Sequence, residues 1–174
     1  MLANGHGKDF YKIYDAMTFK YPRTKSFPKA GFAAGPCLFK DTMQLSSFDN
    51  NKFFLGHSSM LINEGMPAFI VEELEKEFDL KTKKVGILGM AFKAESDDPR
   101  SSLSYKLRKM LDLSTKELFC SDEYIKNDSF VSKEELIEKS DIIILGVPHQ
   151  NYGTLMLPEG KYLYDMWNFL KGRK

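Results

Sequence analysis

The sequence predicts an α/β protein in which a helical region precedes a small parallel-sheet domain. Two short runs, residues 85–92 (VGILGMAF) and 141–147 (DIIILGV), are almost wholly apolar, as strands covered on both faces must be. Segments with helical spacing alternate with these runs, the pattern of strands joined by helical crossovers. The hydrophobic period also changes across the charged stretch at residues 79–84 (DLKTKK), which divides an expected region 1–80 from an expected domain 83–174.

In the first region, residues 8–20 set Phe10, Ile13, Tyr14 and Met17 at helical intervals, and Pro22 ends the pattern. A loop of small residues follows. Residues 55–78 are the longest periodic segment, with Leu55, Met60, Leu61, Phe69, Ile70, Leu74 and Phe78 on a wide apolar face. Gly65 and Pro67 interrupt it and predict a kink or two abutting helices. In the second region, a strand at 85–92 is expected to lead to a helix at 101–113 and a short strand at 117–120. A helix at 132–140 follows, with Ser132 as N-cap and Glu135 placed for a capping box. Strands at 141–147 and 161–165 complete a Rossmann-like parallel sheet.

Composition narrows the function classes. The 174 residues carry 25 Lys and Arg against 24 Asp and Glu, a net charge of +1, which gives no electrostatic case for nucleic acid or an anionic membrane surface. The longest apolar run, 142–147, is far too short to span a bilayer, and residues 1–12 lack the apolar core of a signal peptide. Two cysteines form no disulfide framework, so a reducing, cytoplasmic setting is expected. His6, His57 and His149 are scattered without ligand spacing, and no metal site is expected.

The chemistry concentrates in residues 31–41 (GFAAGPCLFKD). Small residues let backbone N–H groups approach a ligand closely. Cys37 can attack carbon as a thiolate, and Lys40 three residues on supplies a favourable positive charge. Asp41, at i+4, shares a helix face with Cys37 and can act on a group bonded to the sulfur. Alone, such a cysteine reads as a buried thiol at a loop-to-helix junction; the Lys and Asp beside it favour chemistry. A second concentration follows the first strand. Gly86 and Gly89 sit where a dinucleotide fingerprint would begin but lack its spacing, because Leu88 and Ala91 occupy the other glycine positions. The loop at 92–100 (FKAESDDPR) offers Lys93 and Arg100 beside a helix start, which suits a phosphate; equally, Asp97 and Asp98 could cap that helix while both cations stay solvated.

Together these motifs resemble the UDP-glucose/GDP-mannose dehydrogenase family of nucleotide-sugar dehydrogenases. The glycine-rich loop, Cys37 and the Lys40–Asp41 pair match its catalytic signature; residues 87–93 (ILGMAFK) with 98–100 (DPR) match a second. Residues 63–67 (NEGMP) resemble the continuation of its central helix. The resemblance implies a chain comprising the end of a central helical dimerisation region and a C-terminal nucleotide-sugar-binding domain, one piece of a longer, homodimeric, NAD-dependent enzyme. It implies two successive oxidations of a sugar C6 alcohol to a carboxylate, with Cys37 holding the intermediate as thiohemiacetal and thioester and Asp41 acting on the water. It places Arg23, Lys29, Gly31, Phe32, Gly35, Phe92 and Lys93 on the UDP- or GDP-sugar, and Lys40 and Arg100 beside NAD. It further implies a place in bacterial surface-polysaccharide synthesis, and a chain catalytically inert without the cofactor domain.

Three departures bear on substrate. Ala33 and Ala34 stand where the family has more glycines, and Pro36 removes a backbone donor just before the nucleophile. Residues 165–168 (DMWN) lack the arginine that many UDP-glucose enzymes place on the substrate, so another nucleotide-sugar fits as well. Trp167 reads as core ahead of a base-stacking platform, and Cys120 as structural. The alternatives are a non-catalytic nucleotide-sugar-binding module, or a Cys hydrolase, which would need a histidine partner for Cys37.

Overall fold

Four parallel strands form the sheet of the computed structural model, which describes residues 1–170; residues 171–174, the tail of the second region, lie outside the described residues. The strands are β1 (Lys84–Leu88), β2 (Glu117–Ser121), β3 (Ile142–Leu145) and β4 (Tyr162–Tyr164), in the order β2-β1-β3-β4. Register pairs Val85 with Leu118 on one side and with Ile142 on the other. The parallel α/β fold therefore matches the expectation.

The apolar runs are explained by their two covered faces. Val85, Ile87, Ile142 and Ile144 point to one cluster, which α4 (Phe54–Glu77) completes with Ile70, Val71 and Leu74 and α5 (Leu103–Ser114) with Leu107 and Leu111. Leu88, Ile143 and Leu145 point to the other, where α6 (Lys133–Lys139) supplies Leu136 and Ile137. Gly86 faces α6 so closely that a Cβ there would lie 2.4 Å from Leu136. The first cluster is continuous across residues 80–83, where a 3₁₀ turn (Leu80–Thr82) joins the helical region to the sheet.

Several elements differ from the sequence expectation for identifiable reasons. α4 runs uninterrupted through Gly65 and Pro67. A proline removes only one backbone donor, and the tertiary anchors outweigh that loss: Pro67 itself is buried, and Lys106 from α5 donates to the Glu64 carbonyl at 2.7 Å. β1 stops at Leu88 rather than at 92, because Gly89 adopts φ +90° and turns the chain out of the sheet. The N-cap of α5 is Ser102, not an aspartate; its Oγ accepts from the Ser104 N–H at 3.3 Å and donates to the Ala91 carbonyl at 3.0 Å. Ser132 caps α6 through the Glu135 N–H at 3.1 Å, but the Glu135 carboxylate pairs with Lys139 instead of closing the capping box.

The remaining helices are α1 (Leu2–Gly5), α2 (Phe10–Thr18), capped by Asp9, and α3 (Leu38–Phe48). Among the described residues no helix is long and apolar enough to cross a membrane.

Candidate functional site

The small-residue loop is pinned to the carboxyl end of the sheet by three contacts. Asn63 of α4 treats Ala33 as a strand would: its Oδ1 accepts from the Ala33 N–H at 2.9 Å and its Nδ2 donates to the Ala33 carbonyl at 2.5 Å. Gly31 lies flat on Trp167, and a Cβ there would come within 2.1 Å of the ring. Trp167 in turn donates from Nε1 to the carbonyl of Leu145, the last residue of β3, at 3.1 Å, and meets the edge of Phe32. Gly35 lies against Phe92, where a Cβ would sit 3.3 Å from the ring. Trp167 is thus a bridge between sheet and loop.

Beyond Gly35 the chain enters α3. Cys37 occupies the N-cap position in αR geometry and is exposed, and the Asp41 N–H donates to the Cys37 carbonyl at 2.8 Å, so the i+4 relation is realised as one helical turn. Lys40 and Asp41 are both exposed and pair at 3.4 Å. Arg100 forms a two-pronged contact with Asp98 at 2.7–3.0 Å. The Asp98 hydrogen bond and charge raise the guanidinium above its ordinary range, with a smaller contribution from Cys37; the same hydrogen bond holds the Asp98 carboxyl below its own. Lys93 sits over the Phe92 ring at 5.3 Å. The fold therefore gathers Gly35, Cys37, Phe92 and Arg100, which are far apart in sequence.

Lys29 and Gly31 face a different space. Together with Tyr11, Glu73 and Asp165 they line a groove of about 930 Å³ between α2, α4 and the end of β4, and Cys37 and Lys93 take no part in it. A smaller cavity of about 180 Å³ lies between Gly35, Phe39, Glu64 and Lys106. Arg23 is exposed on a 3₁₀ turn (Pro22–Thr24) and makes no ion pair among the described residues. Cys120 is buried, which pushes its thiol up to about 11 and keeps it protonated at neutral pH.

A buried polar cluster behind the Phe92 loop was not legible as a site in the sequence. Asp122, directly after β2, accepts from the Met90 and Ala91 N–H groups through Oδ2 at 2.6 and 3.0 Å, and from Tyr124 and Ile125 through Oδ1 at 2.8 and 3.0 Å. His149, shortly after β3, touches the same Oδ2 at 3.2 Å. The available signal was position: both residues follow the carboxyl ends of parallel strands, where such sheets carry their ligands. Burial works to raise the Asp122 carboxyl, but the His149 contact and the backbone donors outweigh it and hold it at about 2. A carboxyl depressed in the folded state stabilises fully above its unfolded value, and that stability is lost as pH falls through the folded one. The stability gap between the wild-type chain and Asp122→Asn should therefore narrow by about 2 kcal/mol as pH drops from about 5 to about 2. Denaturant melts across that window check this; a gap independent of pH would contradict it.

The glycines at the crossing of β1 and β3, where the strand order reverses, are closed in by neighbouring protein atoms. A Cβ on Gly146 would lie 2.5 Å from the Gly89 carbonyl oxygen, Val147 covers Gly89, and Gly86 is backed by Leu136. These glycines serve packing inside the sheet instead of close approach by a pyrophosphate.

A parallel α/β domain with a cysteine-bearing loop strapped across the carboxyl ends of its strands defines the class: a Rossmann-like domain with a thiol site. Residues 86–172 match the UDP binding domain of the UDP-glucose/GDP-mannose dehydrogenase family. The chain belongs to that family. It is 30% identical to UDP-N-acetyl-D-mannosamine dehydrogenase of Pyrococcus horikoshii, over 89% of this chain and 38% of the relative. The solved structure of that enzyme superposes with a TM-score of 0.75 over 88% of this chain and 38% of its own. GDP-mannose 6-dehydrogenase of Pseudomonas aeruginosa is 29% identical over 97% of this chain and 44% of the relative. The chain thus spans about two fifths of the length of these relatives.

Proposed function

We propose that this chain is the substrate-holding, thiol-bearing part of an NAD-dependent nucleotide-sugar 6-dehydrogenase that oxidises a sugar C6 alcohol to a carboxylate. The observation that carries the reading is the contact of Gly35, two residues before Cys37, with Phe92, whose N–H donates to the carbonyl of Asp98, the residue that holds Arg100. NAD would serve as hydride acceptor in both oxidations; the closed-in glycines at the β1–β3 crossing give its pyrophosphate no close approach, and Lys40 and Arg100 are the cations left to meet it. The chain's own part is covalent. Cys37 Sγ adds to the C6 aldehyde carbon and keeps the intermediate attached, first as thiohemiacetal and then as thioester. Asp41, one turn along, takes a proton from the water that cleaves the thioester and frees the thiol. Phe92 and Lys93 hold the nucleotide-sugar from the sheet side, with Gly35 opposite; Phe32, buried beneath the loop, shapes it from below. Lys29 and Gly31, which face the separate groove beside α2, and the exposed Arg23 would contact only a more distant part of the ligand. A homodimer is supported by apolar side chains left exposed on α3 and α4, among them Leu45, Phe48, Leu55 and Leu61. A cytoplasmic location is supported by two free cysteines. A second reading, a module that binds nucleotide-sugar without oxidising it, is favoured by those closed-in glycines.

A thermal-shift panel of UDP-glucose, UDP-N-acetylhexosamines and GDP-mannose tests the reading. One nucleotide class at a hundredfold excess over its Kd should stabilise the chain by about 2.7 kcal/mol. Lys93→Ala should weaken that ligand about tenfold through loss of a charge-assisted contact. No shift with any of them would contradict substrate binding. The C6 aldehyde of the bound sugar should slow alkylation of Cys37 where the alcohol does not; equal rates would favour the binding module.

A further inference from the structure

His149 is fully buried, and its ring joins both ends of segment 90–95, which carries Phe92 and Lys93. Its Nδ1 accepts from the Glu95 N–H at 3.0 Å. A backbone amide can only donate, so Nδ1 carries no proton and the proton sits on Nε2, 3.2 Å from Asp122 Oδ2. That same oxygen receives the Met90 and Ala91 N–H groups. At the far end, Glu95 is held at φ +55°, a conformation that persists in a non-glycine residue only when its surroundings impose it. The Glu95 carboxylate accepts from the Gln150 N–H at 2.7 Å and from the Tyr124 hydroxyl.

We propose that His149, as a neutral ring protonated on Nε2, is the positioning residue of the loop bearing Phe92 and Lys93, and that protonating it releases the loop and weakens nucleotide-sugar binding. The proposal rests on the reading that this loop holds the nucleotide-sugar. The groups facing the ring are Asp122 from the end of β2, Glu95 from the loop itself, and the rings of Tyr124 at 4.9 Å and Tyr152 at 5.3 Å. Protonation turns Nδ1 into a donor aimed at the Glu95 N–H, and two donors repel. Glu95 Oε1 lies 3.8 Å from Nδ1 and already accepts from the Gln150 N–H, so a hydrogen bond to the charged ring requires Glu95 to move and shifts its contacts with Gln150 and Tyr124. Phe92 and Lys93, fastened through the same segment, move with it.

The test uses the ¹⁵N-labelled 174-residue chain with UDP-glucose and GDP-mannose, whose diphosphates do not titrate near neutral pH. The His149 ring nitrogens should report the Nε2–H tautomer at about pH 7.5, and affinity should fall about tenfold as pH is lowered to the point where the same ¹⁵N signals show the ring doubly protonated. His149→Ala should bind about tenfold more weakly at the higher pH and show no further fall. Amide exchange at Met90, Ala91 and Glu95 should accelerate under the same acid shift and in the variant. An Nδ1–H tautomer, a pH-independent wild-type affinity, or wild-type binding by His149→Ala would each overturn the proposal. If the wild-type chain binds neither nucleotide-sugar, the substrate reading fails; the tautomer and the exchange rates, which need no ligand and no variant, then decide the positioning role.

Discussion

Asp122→Ala should destabilise the chain by about 3–5 kcal/mol, the cost of breaking a buried charged cluster from one side. The carboxylate accepts from four backbone N–H groups, those of Met90, Ala91, Tyr124 and Ile125, and it also holds His149. Removal strands the part-buried Met90, Ala91 and Ile125 donors, which the wholly inaccessible carboxylate now satisfies. For a chain of this length each kcal/mol lowers Tm by about 2–4 °C, so a fall of about 10 °C is expected. Asp122→Asn keeps the volume and one acceptor oxygen and should lose less. Equal melting of wild type and Asp122→Ala would mean that the cluster is decorative.

Gly89→Ala should cost about 2–4 kcal/mol for two separable reasons. The residue sits at φ +90°, where a side chain is strained, and the added Cβ would fall 2.7 Å from the Val147 backbone nitrogen and oxygen. Backbone in the crossing between β1 and β3 cannot retreat as a flexible side chain could. Gly160→Ala is the control: φ is +84° but nothing lies within 4 Å, so only the conformational part should remain, about 1 kcal/mol. Urea melts of the pair separate strain from collision. A Gly89→Ala loss no larger than that of Gly160→Ala would remove the steric part of the argument. Because Gly89 begins the turn that carries Met90 to Glu95, this variant should also loosen the Phe92 loop.

The fold was largely legible because its signals are local. Residues 85–92 and 141–147 read as strands covered on both faces, and strands covered on both faces form within them at 85–88 and 142–145. The Cys37–Asp41 spacing required only that a helix start there, and α3 does start there. Reading failed where tertiary contacts outvote local preference. Gly65 and Pro67 predicted a kink or two abutting helices; two helices do not form, because burial of Ile70, Val71 and Leu74 on the sheet and the Lys106 bond carry α4 through as one element. Asp98 was a plausible helix cap, yet an arginine two residues away offered a charge-assisted fork, and Ser102 took the cap.

The sequence by itself determined the parallel α/β architecture, the motif spacing around Cys37 and the family, because apolar periodicity and motif spacing are properties of neighbouring residues. Only the tertiary structure decided that the glycines at the β1–β3 crossing are closed in, that Trp167 and Asn63 strap the cysteine loop to the sheet, and that His149 meets Asp122 and Glu95. These depend on contacts between residues 22 to 136 positions apart in the chain. A hydrogen bond at 3 Å is fixed by how strands and helices stack, and no local pattern in the chain encodes that distance.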